Sequence, residues 1–161
     1  IIDIIIIALG FILRLFVGSI SGDVPLSMWI IIITFLLAVF IALAKRRDDV
    51  IIYLESGRKT RKAVDGYNLE FLAASMIIMS SVVIVCYIMY TISHDVVSKL
   101  HSDKLYLTVI FVILGLMRYM QITFVEKRSG SPTEVLLQDR FIQLSIAGWL
   151  ATFIFLIYLP V

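Results

Sequence analysis

The sequence predicts an all-α fold, a polytopic bundle of transmembrane helices. Three observations lead there. The 161 residues are 61% hydrophobic, with mean hydropathy +1.03, whereas a soluble chain averages about half apolar residues or fewer. The apolar residues fall in continuous runs long enough for a bilayer, without the alternation of a membrane β-barrel. The charges gather mostly between those runs. The net charge of +2 decides little by itself. The single cysteine, Cys86, lies inside an apolar run and reads as a small packed side chain. No signal-peptide pattern is present. The chain opens Ile1-Ile2-Asp3, without Met or a basic leader, and is read as a piece of a longer protein that begins near the start of a helix.

Five spans are predicted, at about 4–20, 26–44, 69–93, 105–125 and 141–159. In the first, residues 3, 7, 10, 14 and 18 share one helical face, and they are Asp, Ile, Gly, Arg and Gly. That polar, small stripe is expected to face other helices. The turn Ser21-Gly22-Asp23-Val24-Pro25 leads to the second span, with Trp29 as an interface anchor. A long polar loop over about 45–67 should follow, holding Arg58, Lys59, Arg61 and Lys62 around Gly57. Asn68 caps the third span, with Glu70 in its first turn. A short loop, His94 to Lys104, precedes the fourth span, which Arg118 interrupts. Ser131 and Glu134 make a capping box around Pro132, predicting a short interfacial helix to about Gln138. Asp139-Arg140 closes it, and the fifth span begins. No fixed-period repeat or low-complexity linker occurs, so residues 1–161 read as a single transmembrane helical domain.

The cation-rich loops are those over 45–67 and 124–140, while the opposite loops hold only Lys99 and Lys104. The cation-rich side is therefore predicted cytoplasmic. Asp3, the run Lys45-Arg46-Arg47-Asp48-Asp49 and Asp139-Arg140 then fall at one membrane face. Arg118 lies about 8 Å inside that face, and Arg14 about 16 Å along its helix from Asp3. A charge in hydrocarbon is costly and tends to mark a cavity or a substrate path. The plainer reading is an internal salt bridge, with Asp3 or Glu126 as the counter-charge. Two deep arginines beneath a rim with cations and carboxylates suit an anionic substrate with an apolar tail, because the guanidinium fork binds phosphate oxygens in pairs.

The chain resembles the UbiA-type polyprenyltransferase superfamily, and within it the decaprenyl-phosphate phosphoribosyltransferases. The resemblance is carried by Gly10-Phe-Ile-Leu-Arg14-Leu-Phe-Val-Gly18, by Thr34 to Arg47 with its Ala-Lys-Arg-Arg end, and by Tyr67-Asn-Leu-Glu-Phe-Leu72. Tyr87 to Ser93, Gly115-Leu-Met-Arg-Tyr119 and Gly130-Ser-Pro-Thr-Glu-Val-Leu-Leu-Gln-Asp-Arg140 extend it over nearly the whole chain. The Lys-Arg-Arg run and the Ser-Pro-x-Glu segment point to the phosphoribosyl branch. The resemblance maps the chain onto helices five to nine of a nine-helix fold whose active site opens to the cytoplasm. The family's first aspartate-rich motif, N-D-x-x-D-x-x-x-D, is absent here, so the main metal-binding carboxylates it implies lie elsewhere. Asp48 and Asp49 replace the usual small residue and Glu after Lys-Arg-Arg.

What the resemblance implies is transfer of 5-phosphoribose from phosphoribosyl diphosphate to a polyprenyl phosphate, a step toward cell-wall arabinan, with Mg²⁺ as the bridging ion. Arg46, Asp48 and Asp49 are the catalytic candidates, and Asp48 and Asp49 the metal candidates. Lys45, Arg46, Arg47, Arg118, Arg140 and Arg14 are the phosphate-binding candidates, Arg14 behind the others. Tyr67 and Asn68 are weighed as ribose contacts. Lys59, Arg61 and Lys62 fix topology or gather anionic substrate. Expected partners are the two substrates and the inner, cytoplasmic membrane, with homo-oligomers allowed and nucleic acid not expected. This piece alone is expected to be inactive. The rivals are an aromatic prenyltransferase using a polyprenyl diphosphate, and a transport or non-enzymatic membrane protein.

Overall fold

A computed structural model describes residues 1–56, 66–126 and 132–158. Among them there are helices and turns but no strand. Five stretches are long and apolar enough to cross a membrane: Ile2–Gly22, Met28–Glu55, Leu69–Ile92, Leu105–Glu126 and Arg140–Tyr158. The protein is an integral membrane protein, as the apolar runs predict. The described residues divide into two compact units, Ile1–Val83 and Ile84–Val161.

In the first unit α1 (Ile2–Gly22) packs along α2 (Met28–Ser56). The contact face of α1 carries Ile4 and Ala8, one helical turn apart and both buried. The small Ala8 lets the helices approach closely. The stripe that ends in Arg14 and Gly18 is not this face: both residues are exposed. The turn between the helices is closed by Asp23, at φ 50°, whose N–H bonds to the Ser19 carbonyl. A short polar side chain tolerates that left-handed conformation.

Helix α2 corrects the sequence expectation. It does not stop at residue 44 but runs on to Ser56, so Lys45 to Asp49 lie within a helix rather than at the head of a loop. Lys and Arg are good helix formers, and the Arg46–Asp49 pair at i,i+3 supports the turn it spans. Ala38, Phe40, Ala42, Leu43 and Ala44 are buried ahead of the charges, and Val50 behind them. Arg46, Arg47 and Asp49 are therefore enclosed by the protein, while Lys45 is exposed. Residues 57–65, with Arg58, Lys59, Arg61 and Lys62, lie outside the described residues. Asn68 does cap α3 (Leu69–Ile92): its Oδ1 accepts from the Phe71 N–H at 2.7 Å.

In the second unit the predicted loop after α3 is itself a helix, α4 (His94–Leu100), ended by His101 at φ 53°. Asp95 in its first turn and Lys99 in its last complement the helix dipole. A 3₁₀ turn, Leu105–Thr108, leads into α5 (Val109–Gln121), and a π turn, Ile122–Glu126, follows. Then come α6 (Pro132–Gln138) and α7 (Arg140–Tyr158). Ser131 of the expected capping box lies outside the described residues. Helices α5 and α7 pack together, and Val96, Leu105 and Leu156 form a buried cluster extended by Tyr90, Leu100 and Phe153. A chain of hydrogen bonds crosses this unit. Trp149 Nε1 donates to the Tyr87 hydroxyl at 2.6 Å, which lies 2.8 Å from Thr108 Oγ1. Thr108 in turn donates to the Leu105 carbonyl at 2.6 Å.

Candidate functional site

In the first unit three elements meet at one side chain. Arg46, only 3% exposed, donates from Nε to Asp3 Oδ2 at 2.5 Å and from Nη1 to Asp49 Oδ2 at 2.8 Å. Asp3 comes from the start of α1 and Asp49 from the next turn of α2. The other oxygen of Asp3 accepts the Tyr67 hydroxyl at 2.8 Å and lies 3.3 Å from the Ile1 amine. Tyr67 stands just before α3 and stacks on Phe71, with ring centroids 6.1 Å apart. Burial, together with the bond to the Asp3 carboxylate, pushes the Tyr67 phenol up to about 12.

Lys45 is exposed, whereas Arg47 and Asp49 are buried and Asp48 is half-buried. Three cations, Lys45, Arg46 and Arg47, thus stand with three carboxylates, Asp3, Asp48 and Asp49. The cluster is neutral overall, not the cationic rim that the run suggests when Asp3 is left out. An anion at Arg46 meets a guanidinium already held in place.

The metal reading fits these residues poorly. Among the described residues no group of three or more His, Cys, Asp or Glu side chains comes together. Asp49 is bound to Arg46, and Asp48 interacts with the charge of Arg47. A six-oxygen Mg²⁺ shell is not built by this chain's described residues.

The second unit holds Arg118. Its Nε and Nη2 reach Asp139 Oδ2 at 3.1 and 2.7 Å. Its Nη1 reaches Gln121 Oε1 at 2.7 Å and Glu126 Oε1 at 2.8 Å. The counter-charge expected from Glu126 is present, and Asp139 adds a second. The Arg118 bond holds the Asp139 carboxyl below the usual carboxylate range. A cavity of about 250 Å³ lies here, lined by Arg118, Ile122, Glu126, Glu134, Val135, Gln138 and Asp139. Its lining carries three carboxylates and one cation, so it does not have the charge of a diphosphate site. Arg140 is exposed at the first position of α7. Arg14, in the first unit, meets neither Asp3 nor any other carboxylate among the described residues. Its guanidinium sits over the Phe11 ring at 5.3 Å.

No protein-family model matches the chain. Individual relatives do. A protein of Mycolicibacterium smegmatis named decaprenyl-phosphate phosphoribosyltransferase is 26% identical over 158 residues, which cover 94% of this chain and 49% of that protein. The chain resembles the decaprenyl-phosphate phosphoribosyltransferases. The protein of that name from Corynebacterium glutamicum is 22% identical over 159 residues, with 99% of this chain and 48% of the relative covered. The one from Mycobacterium tuberculosis is 22% identical over 152 residues, with 94% and 49% covered. The chain spans about half the length of the curated relatives it matches.

Set beside the decaprenyl-phosphate phosphoribosyltransferases, the chain's candidate residues divide. Lys45, Arg46, Arg47, Asp48 and Asp49 gather with Asp3 and Tyr67 in the first unit, and Arg118 with Asp139 in the second. The sequence reading missed the roles of Asp3 and Tyr67 toward Arg46. Its partial signal was charge: an arginine that a membrane helix carries into the protein interior needs counter-charges, and Asp3 is the one acid of the first span.

Proposed function

We propose that the intact protein is a membrane transferase that moves 5-phosphoribose from phosphoribosyl diphosphate to a polyprenyl phosphate. The observation that carries this reading is the similarity to phosphoribosyltransferases over 94–99% of the chain. Arg46 supports it, as a guanidinium held rigidly inside a membrane-spanning helix. The bond from the ribose anomeric carbon to diphosphate breaks, and a bond from that carbon to a lipid phosphate oxygen forms. Positive charge builds on the ribose and negative charge on the leaving diphosphate. The protein's work is to neutralise the diphosphate and bring two anions together.

In this proposal Lys45, Arg46 and Arg47 meet the diphosphate or the 5-phosphate, and Arg140 meets the lipid phosphate. Arg118 acts through Asp139, fixing the start of the helix that carries Arg140. Arg14 acts behind Lys45, Arg46 and Arg47. Mg²⁺ would come with the diphosphate, which it neutralises, and its protein ligands would lie mainly outside this chain, with Asp48 the nearest candidate here. The active face is cytoplasmic, in the bacterial inner membrane, and the lipid product serves arabinan assembly. The 161-residue chain, about half a relative's length, is not expected to turn over alone.

The test uses the intact protein in nanodiscs with Mg²⁺, radiolabelled phosphoribosyl diphosphate and a polyprenyl phosphate. Label should pass to the organic phase, and Arg46→Ala should cut the rate at least about 100-fold, the scale of losing one charge-stabilising donor. Turnover only with a prenyl diphosphate and an aromatic acceptor would replace this reading with an aromatic prenyltransferase.

A further inference from the structure

We propose that Asp3 and Tyr67 are positioning residues for Arg46, setting the plane of its guanidinium for an incoming phosphoryl group. The inference rests on the reading above, in which Arg46 meets the diphosphate end of the substrate.

Neutralisation alone does not account for the geometry. Asp49, on the same helix, already supplies one carboxylate to Arg46 at 2.8 Å. Asp3 brings a second, from 43 residues away; it completes the neutrality of the Lys45–Asp49 run, and it does so at a different nitrogen of the same fork. What the second carboxylate adds is orientation. A guanidinium is planar, so anchoring Nε to Asp3 and Nη1 to Asp49 fixes its plane and the direction of the remaining nitrogen. That nitrogen, Nη2, has no hydrogen-bond partner among the described residues, while Nε is used and Nη1 keeps one of its two N–H bonds. One donor group is thus kept for a ligand on a side chain that otherwise has many rotamers to lose.

Tyr67 extends the same logic by one step. Its hydroxyl holds Asp3 Oδ1, which leaves Oδ2 turned to Arg46 and hinders rotation of the carboxylate. Tyr67 is itself located by its stack on Phe71 and by the Asn68 cap next to it. The order of support therefore runs from the start of α3, through the start of α1, to the charged turn of α2. Tyr67 touches no substrate in this scheme and acts through Asp3.

The experiment is steady-state kinetics on the intact protein in nanodiscs, with both substrates varied, for wild type, Tyr67→Phe, Asp3→Asn, Arg46→Lys and the Tyr67→Phe/Arg46→Lys pair. Tyr67→Phe should raise KM for phosphoribosyl diphosphate about fivefold, the scale of one ordinary hydrogen bond. KM for the polyprenyl phosphate should stay unchanged, and the Tm should fall only by the loss of one hydrogen bond. In the Arg46→Lys background, where no fork remains to orient, Tyr67→Phe should add nothing. A lowered Tm with unchanged KM, or an equal loss in both backgrounds, would make Tyr67 merely structural and overturn the proposal. If Asp3→Asn does not fold, Tyr67→Phe still decides. If wild type transfers no phosphoribose, the functional reading fails separately, and calorimetric binding of inorganic diphosphate decides this one. Binding weakened by both Arg46→Lys and Tyr67→Phe supports it. No binding, or equal binding by wild type and Tyr67→Phe, sinks it.

Discussion

Asp139 does two things for Arg118's end of the bundle. One of its oxygens takes both Nε and Nη2 of Arg118, at 3.1 and 2.7 Å, and the other accepts the Ile142 N–H at 2.9 Å. A single carboxylate thus joins α5 to α7 and caps α7. Asp139→Ala should lose both links and Asp139→Asn chiefly the ion pair. The cap alone is worth about 1 kcal/mol. Thermal melts of the intact protein should rank wild type above Asp139→Asn above Asp139→Ala, and the reverse order of the two variants would refute the dual role.

Two titrating groups outside the membrane spans, Asp139 and Tyr67, set opposite pH limits. Asp139 has a lowered native pKa, so its contribution is complete above the ordinary carboxyl value of about 3.9 and is lost as pH falls through the native one. Tyr67 has a raised one, so its contribution is complete below about 10 and is lost as pH rises toward about 12. Protection factors, with the intrinsic pH dependence of exchange divided out, should fall at the first turn of α7 only on the acid side, and Asp139→Asn should flatten that limb. At the start of α3 they should fall only on the alkaline side, and Tyr67→Phe should flatten that one.

At Gly148 α7 packs directly against the Phe111 ring of α5. A Cβ placed there would lie 2.6 Å from Cε1 of the Phe111 ring. Gly148→Ala should therefore destabilise by about 1–3 kcal/mol, as overpacking does. The ring is the end of a side chain, so Phe111→Leu should recover much of that loss. Stability of the pair that equals the sum of the two single changes would contradict this contact.

Tyr87→Phe removes the middle of the Trp149–Tyr87–Thr108 chain and leaves the indole N–H without its acceptor. The expected cost is about 1 kcal/mol, in line with hydrogen bonds between membrane helices. In a background where Trp29 and any tryptophan outside these 161 residues are replaced by Phe, Trp149 is the reporter, and its emission should move to shorter wavelength. An unchanged spectrum and Tm would mean the chain contributes nothing.

The spans were legible because bilayer thickness imposes a length that composition reveals. The Asn68 cap was legible because it is local: a side chain bonds a backbone group three residues on. The extension of α2 past Ala44 was not, because a run of five charges reads as a membrane exit unless its partners are known. Those partners, Asp3 and Tyr67, are 43 and 21 residues from Arg46 in sequence, and no periodic pattern connects them. The paired state of Arg118 was half legible. Glu126 was foreseen as a counter-charge, while Asp139 was read only as the close of a short helix. The helix over His94–Leu100 was missed because seven residues offer too little periodicity to separate helix from loop.

Helix α2, with 29 residues, is about 44 Å long, against a hydrocarbon slab of about 30 Å. Tilt or protrusion must absorb the difference. Arg46 stands about 27 Å from the start of the helix, close to where acyl chains give way to headgroups. Acyl length then becomes a dial on the dielectric around the Asp3–Arg46–Asp49 trio. A thicker bilayer draws the trio into hydrocarbon and tightens it, and a thinner one hydrates it. The lipid composition of the host membrane would tune how firmly this arginine is held.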